Sequence, residues 1–362
     1  MRSELTVRAI VDLLRERCPS LVHELVPGAR REGNVFSAPN PTRSGDSRGS
    51  FKVWANGAWK EYDEGVGGDI LGLVAYVGGH DPKSKAGRKY ALAWAKERLG
   101  LVDSNPEKLR ALKQRLAKKA RERDREESAR AQRIYLRALD IRARAQKIDP
   151  AAADNPVVAY LAGRGVDLAA IEHLCPAIRF HPGLEHWTSE ATPRPKYPAM
   201  VTSIYDAAGL FQAVHCTFLA RDAAGRWTKA PVASPKLMLG HVKGGFAPLT
   251  YGASGLPIHE ALAQGAAGPV LLCEGVETGL ALAMAAPEPR VWACLSLGNI
   301  ANAPIWLACV ESVVWAREND TKAQALEQAA RVEDALLTHG KPLVQMRPIG
   351  GNDFADMAKK GG

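Results

Sequence analysis

Val270-Leu271-Leu272-Cys273-Glu274-Gly275-Val276-Glu277-Thr278 reads as a short buried strand that ends on a carboxylate and turns, through Gly275, into an Ala/Leu-rich helix. The same grammar returns at Ser312-Val313-Val314-Trp315-Ala316, which runs into Arg317-Glu318-Asn319-Asp320. Between and beyond them the pattern predicts strand 270–273, helix 276–286, strand 290–295, a short helix near 301–308, strand 312–316, helix 321–338 and strand 342–346. Alternating strand and helix predict a parallel sheet, whose strands end at one rim where ligands bind. Glu274, Glu318 and Asp320 would then converge there, and converging carboxylates suit a hard divalent cation, magnesium or manganese. A third acidic stretch, Gly351-Asn352-Asp353-Phe354-Ala355-Asp356, follows the last strand.

The 362 residues leave room for two or three domains. Cys18, Cys175, Cys216, Cys273, Cys294 and Cys309 are scattered, with no Cys-x-x-Cys pair, which fits a reducing cytoplasm, in a bacterial host. Arg2, Glu4, Arg8 and Asp12 interrupt the first residues, so no secretory signal is expected, and no apolar run is long enough to span a membrane. The net charge of +9 is concentrated: residues 107–147 hold 15 Lys or Arg and 6 Asp or Glu, while the rest of the chain has 33 of each. That segment reads as one continuous helix, either a solvated connector or a basic arm for a phosphate backbone.

Four segments follow. Residues 1–103 give a helix (7–17), a Pro/Gly/Ser/Asn/Arg-rich stretch (34–50), strands near 51–54 and 58–62, a Gly67-Gly68-Asp69 turn, an apolar run (70–77) and a helix (87–99). Residues 104–149 are the basic connector. Residues 150–262 show strand alternation at 199–204 and 210–218, and residues 263–362 hold the strand–helix array.

The strand-Glu-Gly-x-Glu-Thr element, the carboxylate-x-Asp pair and the Asp353/Asp356 tail resemble a Toprim domain, the catalytic fold shared by DnaG-type primases, topoisomerases and some nucleases. Upstream, Tyr160-Leu161-x-x-Arg164-Gly165, Tyr197-Pro198-Ala199-Met200, Val214-His215-Cys216-Thr217-x-Leu219 and Ser234-Pro235-Lys236-x-x-x-Gly240 resemble the segment before Toprim in phage- and plasmid-borne primase-like proteins. Ser50-Phe51-x-Val53, Trp59-x-x-Tyr62 and Gly67-Gly68-Asp69-Ile70 resemble the zinc ribbon that opens such chains. The ribbon's ligands are missing: Ser37-Ala38-Pro39-Asn40 stands where the first Cys and His belong, and the second Cys pair falls near Tyr62 to Gly65. Four-coordinate zinc needs four N or S ligands, so a zinc-less ribbon is expected.

The resemblance implies an α/β chain: a small ribbon-like α+β domain, a basic helical connector, an α+β primase-core subdomain and a Rossmann-like Toprim sheet. It implies that Glu274 is a metal ligand or general acid/base, with Glu318 and Asp320 as further ligands and Asp353 and Asp356 as extra ligands or helix caps. Glu318 stands where the family has Asp, and Thr321-Lys322-Ala323-Gln324 replaces its following Gly. Glu277 is either a group behind the ligands or a first-turn acid. Lys236 is implied in holding a nucleotide or template phosphate, with His215, Arg221, Lys229 and Lys243 along the same groove; His215 equally suits a core position. Trp54, Trp59 and Tyr62 are candidates to stack on unpaired bases, with Arg43, Arg48 and Lys52 on the backbone.

The implied activity is synthesis of short RNA primers on single-stranded DNA from ribonucleoside triphosphates, with Mg2+ or Mn2+ and no structural zinc. No Gly-x-x-x-x-Gly-Lys-Ser/Thr motif occurs, so a helicase would be a separate partner. A Toprim nuclease and a catalytically degenerate DNA-binding replication factor are the alternatives.

Overall fold

The computed structural model describes residues 5–43, 49–101, 106–349 and 354. The chain divides into two compact units, one up to Glu126 and one from Glu127.

In the first unit the Thr6 hydroxyl caps α1 (Val7–Glu16) by accepting from the Ala9 amide. The sequence pattern gives one opening helix through Arg17; the structure adds α2 (Cys18–Leu25), whose Cys18, Leu21, Val22 and Leu25 are buried. Pro19 lies in its first turn, where the missing N–H is not needed. The strands β1 (Arg30–Glu32), β2 (Val35–Ala38), β3 (Phe51–Trp54), β4 (Trp59–Glu61) and β5 (Gly67–Gly68) pair antiparallel in sequence order. Alternation sends Phe36, Phe51, Val53 and Trp59 inward and Ser37, Lys52 and Lys60 outward. Two helices close over the inner face: α3 (Ile70–Val77), capped by Asp69, and α4 (Lys85–Arg98), capped by Ser84. The helix α5 (Pro106–Arg144) follows, and among its described side chains the first to be buried is Ala138.

The second unit holds two sheets. β6 (Gln146–Lys147), β7 (Ile178–Glu185), β8 (Lys196–Tyr205), β9 (Phe211–Arg221), β10 (Trp227–Lys229) and β11 (Lys236–Gly240) build an antiparallel sheet in the order β10-β9-β8-β7-β6, with β11 also on β9, and the helix α6 (Pro156–Ala162) lies between β6 and β7 in the chain. β8 begins before its predicted start and β9 runs past its predicted end because the ladder continues: Lys196 and Tyr197 pair with Glu185 and Leu184 of β7, and Leu219, Ala220 and Arg221 pair with β10.

The remaining elements are β12 (Ala247–Pro248), α7 (Ile258–Gln264), β13 (Gly268–Cys273), α8 (Val276–Ala285), β14 (Arg290–Ala293), α9 (Leu297–Ile300), β15 (Val310–Ala316), α10 (Ala323–Leu337) and β16 (Leu343–Met346). They form a sheet ordered β12-β14-β13-β15-β16, parallel except for β12 at the edge. The short helix expected near 301–308 lies earlier, at Leu297–Ile300, and Pro304 follows in turns because it has no N–H to continue a helix. α8 lies so close on β13 that a Cβ at Gly279 would fall 2.8 Å from Cys273 Sγ. One core joins the two sheets: Tyr160, Leu161, Met200 and Leu219 pack with Leu271, Leu280 and Val291.

Candidate active site

The chain leaves β13 toward β14 on one side, then crosses to β15 on the other, so the carboxyl ends of β13 and β15 face a topological switch point. Their register pairs Leu272 with Trp315, which sets the exit of Glu274 beside the exit of residues 317–320. Glu274 is half-buried. Burial pushes its carboxyl up, the Leu297 amide donating to it pulls the other way, and the charge of Asp320 pushes it up again. The buried Cys273 thiol is driven well up by burial, then by Cys294, Glu318 and Glu274, so it stays protonated and offers no soft ligand. Asn319 turns away, its Nδ2 donating to the Pro348 carbonyl at 2.9 Å.

The donors at this rim are therefore carboxylate oxygens, a set that fits a hard divalent cation. Among the described residues no group of three His, Cys, Asp or Glu is gathered tightly enough to hold a metal ion. Asp353 and Asp356 lie outside the described residues, as does Arg48.

Behind the rim, Glu277 in the first turn of α8 is buried. It accepts from the Tyr160 hydroxyl at 3.0 Å and from Lys236 Nζ at 2.8 Å. Burial alone would push its carboxyl up, but the Lys236 charge and hydrogen bond, with help from Lys229, hold it down at about 2. His215 sits on β9 opposite Thr202 and Met238, 7% exposed, and is held down to about 4 first by burial and then by the Lys236 charge. It is a neutral, buried imidazole at physiological pH, and its Nδ1 has no hydrogen-bond partner among the described residues.

Lys243 is exposed on a turn that Asn299 pins: the Gly244 amide donates to Asn299 Oδ1 at 2.8 Å, and Asn299 Nδ2 donates to the Val242 and Gly245 carbonyls. Gly244 has φ +74°, which a glycine adopts freely. Arg221 is exposed and lies 4.9 Å over the Trp227 ring, bracing the β9–β10 hairpin. Glu274 and Asp320 thus interact at the rim, while Lys236, Lys229, His215 and Glu277 form one electrostatic group beside it. Sequence reasoning missed the roles of Tyr160 and Asn299. Tyr160 lay in a motif already marked; Asn299 had no signal, since its partners are three backbone groups more than fifty residues away and one at Cys294.

In the first unit two expectations are corrected. Trp59 is 2% exposed and packs against Phe51 and Tyr76, with ring centroids 5.5 and 4.8 Å away, because strand alternation points it into the core. Arg43 is engaged internally, 3.3 Å from Glu61, 3.3 Å from Glu64 and 3.7 Å from Asp63. The Tyr76 hydroxyl donates to Glu64 and accepts from Asn40 Nδ2, while Asn40 Oδ1 holds Thr42. The outward face instead carries a cross-strand row of Arg30, Ser37, Lys52 and Lys60. Tyr62, 49% exposed, lies beside it with Lys60 Nζ 4.9 Å and Lys52 Nζ 5.6 Å from its ring centre.

Residues 269–362 match the Toprim domain family, and residues 125–249 match a domain of unknown function (DUF7146). The chain carries a Toprim domain, and the carboxylate rim belongs to it. No curated protein matches the chain. Solved structures similar to it include the zinc-binding and RNA polymerase domains of the Aquifex aeolicus primase, at 15% identity over 97% of this chain and 82% of that one, TM-score 0.32. Two others are a DnaG catalytic core (18% identity, 63% and 76% covered, TM-score 0.40) and a DnaG primase catalytic domain bound to single-stranded DNA (18%, 65% and 77%, 0.40). No helix among the described residues is long and apolar enough to cross a membrane.

Proposed function

We propose that the chain is a DnaG-like primase that joins ribonucleoside triphosphates into short RNA primers on single-stranded DNA in the cytoplasm. The observation that carries this reading is the exit of Glu274 beside Glu318 and Asp320 at the switch point, with the Lys236 ammonium on the adjoining sheet. Glu274, Glu318 and Asp320 would hold Mg2+ or Mn2+, and Asp353 and Asp356 are further candidate ligands. A cation bound there would supply charge neutralisation for the reacting phosphate during in-line attack by a primer hydroxyl. Glu274, its carboxyl raised by burial and by Asp320, is suited to hold or pass a proton. Lys236 orients a nucleotide phosphate, and Lys229, Lys243 and Arg221 extend the positive edge.

The template is read as held through its backbone and bases by the outward face of the first unit: Tyr62 stacks, while Arg30, Lys52 and Lys60 meet phosphates. The Arg43 clasp supports a ribbon that keeps its shape without zinc.

The test is incorporation of labelled ribonucleotide on a single-stranded template with magnesium or manganese. Primers of defined length are expected. Shortened template without incorporation would establish the nuclease instead, and binding with neither reaction would make the chain a degenerate binding factor.

A further inference from the structure

The two glutamates of the Glu274-Gly275-Val276-Glu277 element stand in opposite surroundings. Glu274 leaves the strand at the rim, half-buried and facing the charge of Asp320. Glu277 is one helical turn on, with a side chain only 4% exposed and both carboxylate oxygens engaged: Oε1 by the Tyr160 hydroxyl at 3.0 Å, Oε2 by Lys236 Nζ at 2.8 Å. These partners come from α6 and β11, so Glu277 ties one helix, and one strand of the antiparallel sheet, to the first helix of the Toprim domain. The Lys236 side chain is 35% exposed, so its ammonium has one side on Glu277 and another toward solvent. A long lysine side chain normally samples many rotamers and loses entropy when fixed; a buried, doubly held carboxylate fixes it in advance.

We infer that Glu277 is the positioning residue for Lys236, holding its ammonium in place for a nucleotide phosphate, and that it is not a ligand of the divalent cation. The inference rests on the primase reading for the identity of the phosphate, but the anchoring itself follows from the geometry. Tyr160 completes the arrangement by fixing the carboxylate's other oxygen, so that it cannot rotate toward the rim without breaking a buried hydrogen bond.

The experiment compares wild type, Glu277→Gln, Lys236→Gln and the double variant in the full chain, with three readouts: Mn2+ affinity, ATP affinity by calorimetry and thermal unfolding. Glu277→Gln is expected to weaken ATP binding about tenfold while Mn2+ affinity stays within about twofold, and the double variant should bind ATP no worse than Lys236→Gln alone. A tenfold loss of Mn2+ affinity in Glu277→Gln would make Glu277 a cation ligand and overturn the inference. So would additive losses of ATP affinity in the double variant, since independent residues add. Where primers are made, the loss should fall on KM for the nucleotide, with kcat little changed; a fall in kcat alone would point to a structural role and count against positioning. If wild type binds no ATP, the primase reading fails, and the unfolding midpoints then decide the anchor by themselves: coupled shifts for the two substitutions sustain it and additive shifts sink it.

Discussion

Beside Tyr76 of α3 in the N-terminal unit, three carboxylates surround a guanidinium; at the rim of the C-terminal sheet, the Glu274 carboxyl feels the charge of Asp320. Arg43 is within 3.7 Å of Glu61, Asp63 and Glu64, and the Glu61 side chain is fully buried. That cluster carries its own cation, so it is a fixed joint between the 40–43 turn and the end of β4. At the rim the charge of Asp320 helps push the Glu274 carboxyl up, which is the signature of like charges held near each other. The first arrangement is satisfied as it stands, and the second gains most from an added cation. The same residue chemistry serves structure in one place and suits catalysis in the other, and the difference lies in which counter-charge the fold supplies.

The sharpest way to break this contrast is to neutralise the rim. Glu274→Gln with Asp320→Asn should lower primer synthesis about a thousandfold while leaving the unfolding midpoint at pH 7 unchanged or raised. The pH dependence follows from the sign of the shift. Because burial and Asp320 raise Glu274 above its ordinary 4.5, the stability linked to it is fully present below pH 4.5 and is lost as pH rises through the raised value. Glu277 acts in the opposite sense: its stability is present above 4.5 and is lost as pH falls toward about 2. Unfolding curves from pH 4 to 8 should therefore show a decline on the alkaline side that Mn2+ reverses and Glu274→Gln abolishes. A decline that survives Glu274→Gln would place the repulsion elsewhere.

Arg43→Ala tests the other half. It strips a partner from the buried Glu61, while the arginine is itself 39% exposed and partly screened, so the cost is about 2 kcal/mol. Denaturant unfolding followed by Trp fluorescence measures it. Glu61→Gln in the same chain should recover part of the loss, because an amide needs no counter-charge. Equal stability of wild type and Arg43→Ala would show that the clasp contributes nothing and that the sheet core alone holds the turn.

The C-terminal sheet was legible because its strands are continuous apolar runs and its helices are Ala/Leu-rich, so strand, carboxylate and helix follow in order around Glu274 and Asp320. The N-terminal ribbon was legible in outline through Phe51, Trp59 and Asp69, but not in the direction of its side chains. Trp59 and Tyr62 are three apart in sequence and lie on opposite faces, a distinction that depends on where β4 pairs with β3, and pairing register is not written in a three-residue strand. Arg43 could not be assigned for a similar reason: its three partners lie about twenty residues on, and proximity arises only once β2, β3 and β4 are aligned. Glu277 was visible as an acid one turn from Glu274, but its partners come from α6 and β11, more than 40 residues upstream.

Those two faces give a smaller test. Tyr62→Ala should weaken binding of a single-stranded oligonucleotide about tenfold, as expected for one lost stacking contact, without changing stability, because the ring is exposed. Trp59→Ala should instead lower stability by about 3 kcal/mol or more, since it empties a core position. If Tyr62→Ala binds as tightly as wild type in an anisotropy titration, the outward face is not the platform.

The smallest effect concerns α5, where charge is plentiful but spread. Arg121, Arg123 and Arg125 are all exposed, and Glu122, Asp124 and Glu126 alternate with them. A helix of this kind can be a solvated connector whose charges answer one another, or its arginines can follow a phosphate backbone. The two differ in salt dependence. If each arginine meets one phosphate of a single strand, replacing all three by Gln should make the slope of log affinity against log salt shallower by about 2, with the unfolding midpoint unmoved because these side chains touch no core. An unchanged slope would assign the helix to spacing alone, and the positive charge used on DNA would then lie on the sheet face with Arg30, Lys52 and Lys60.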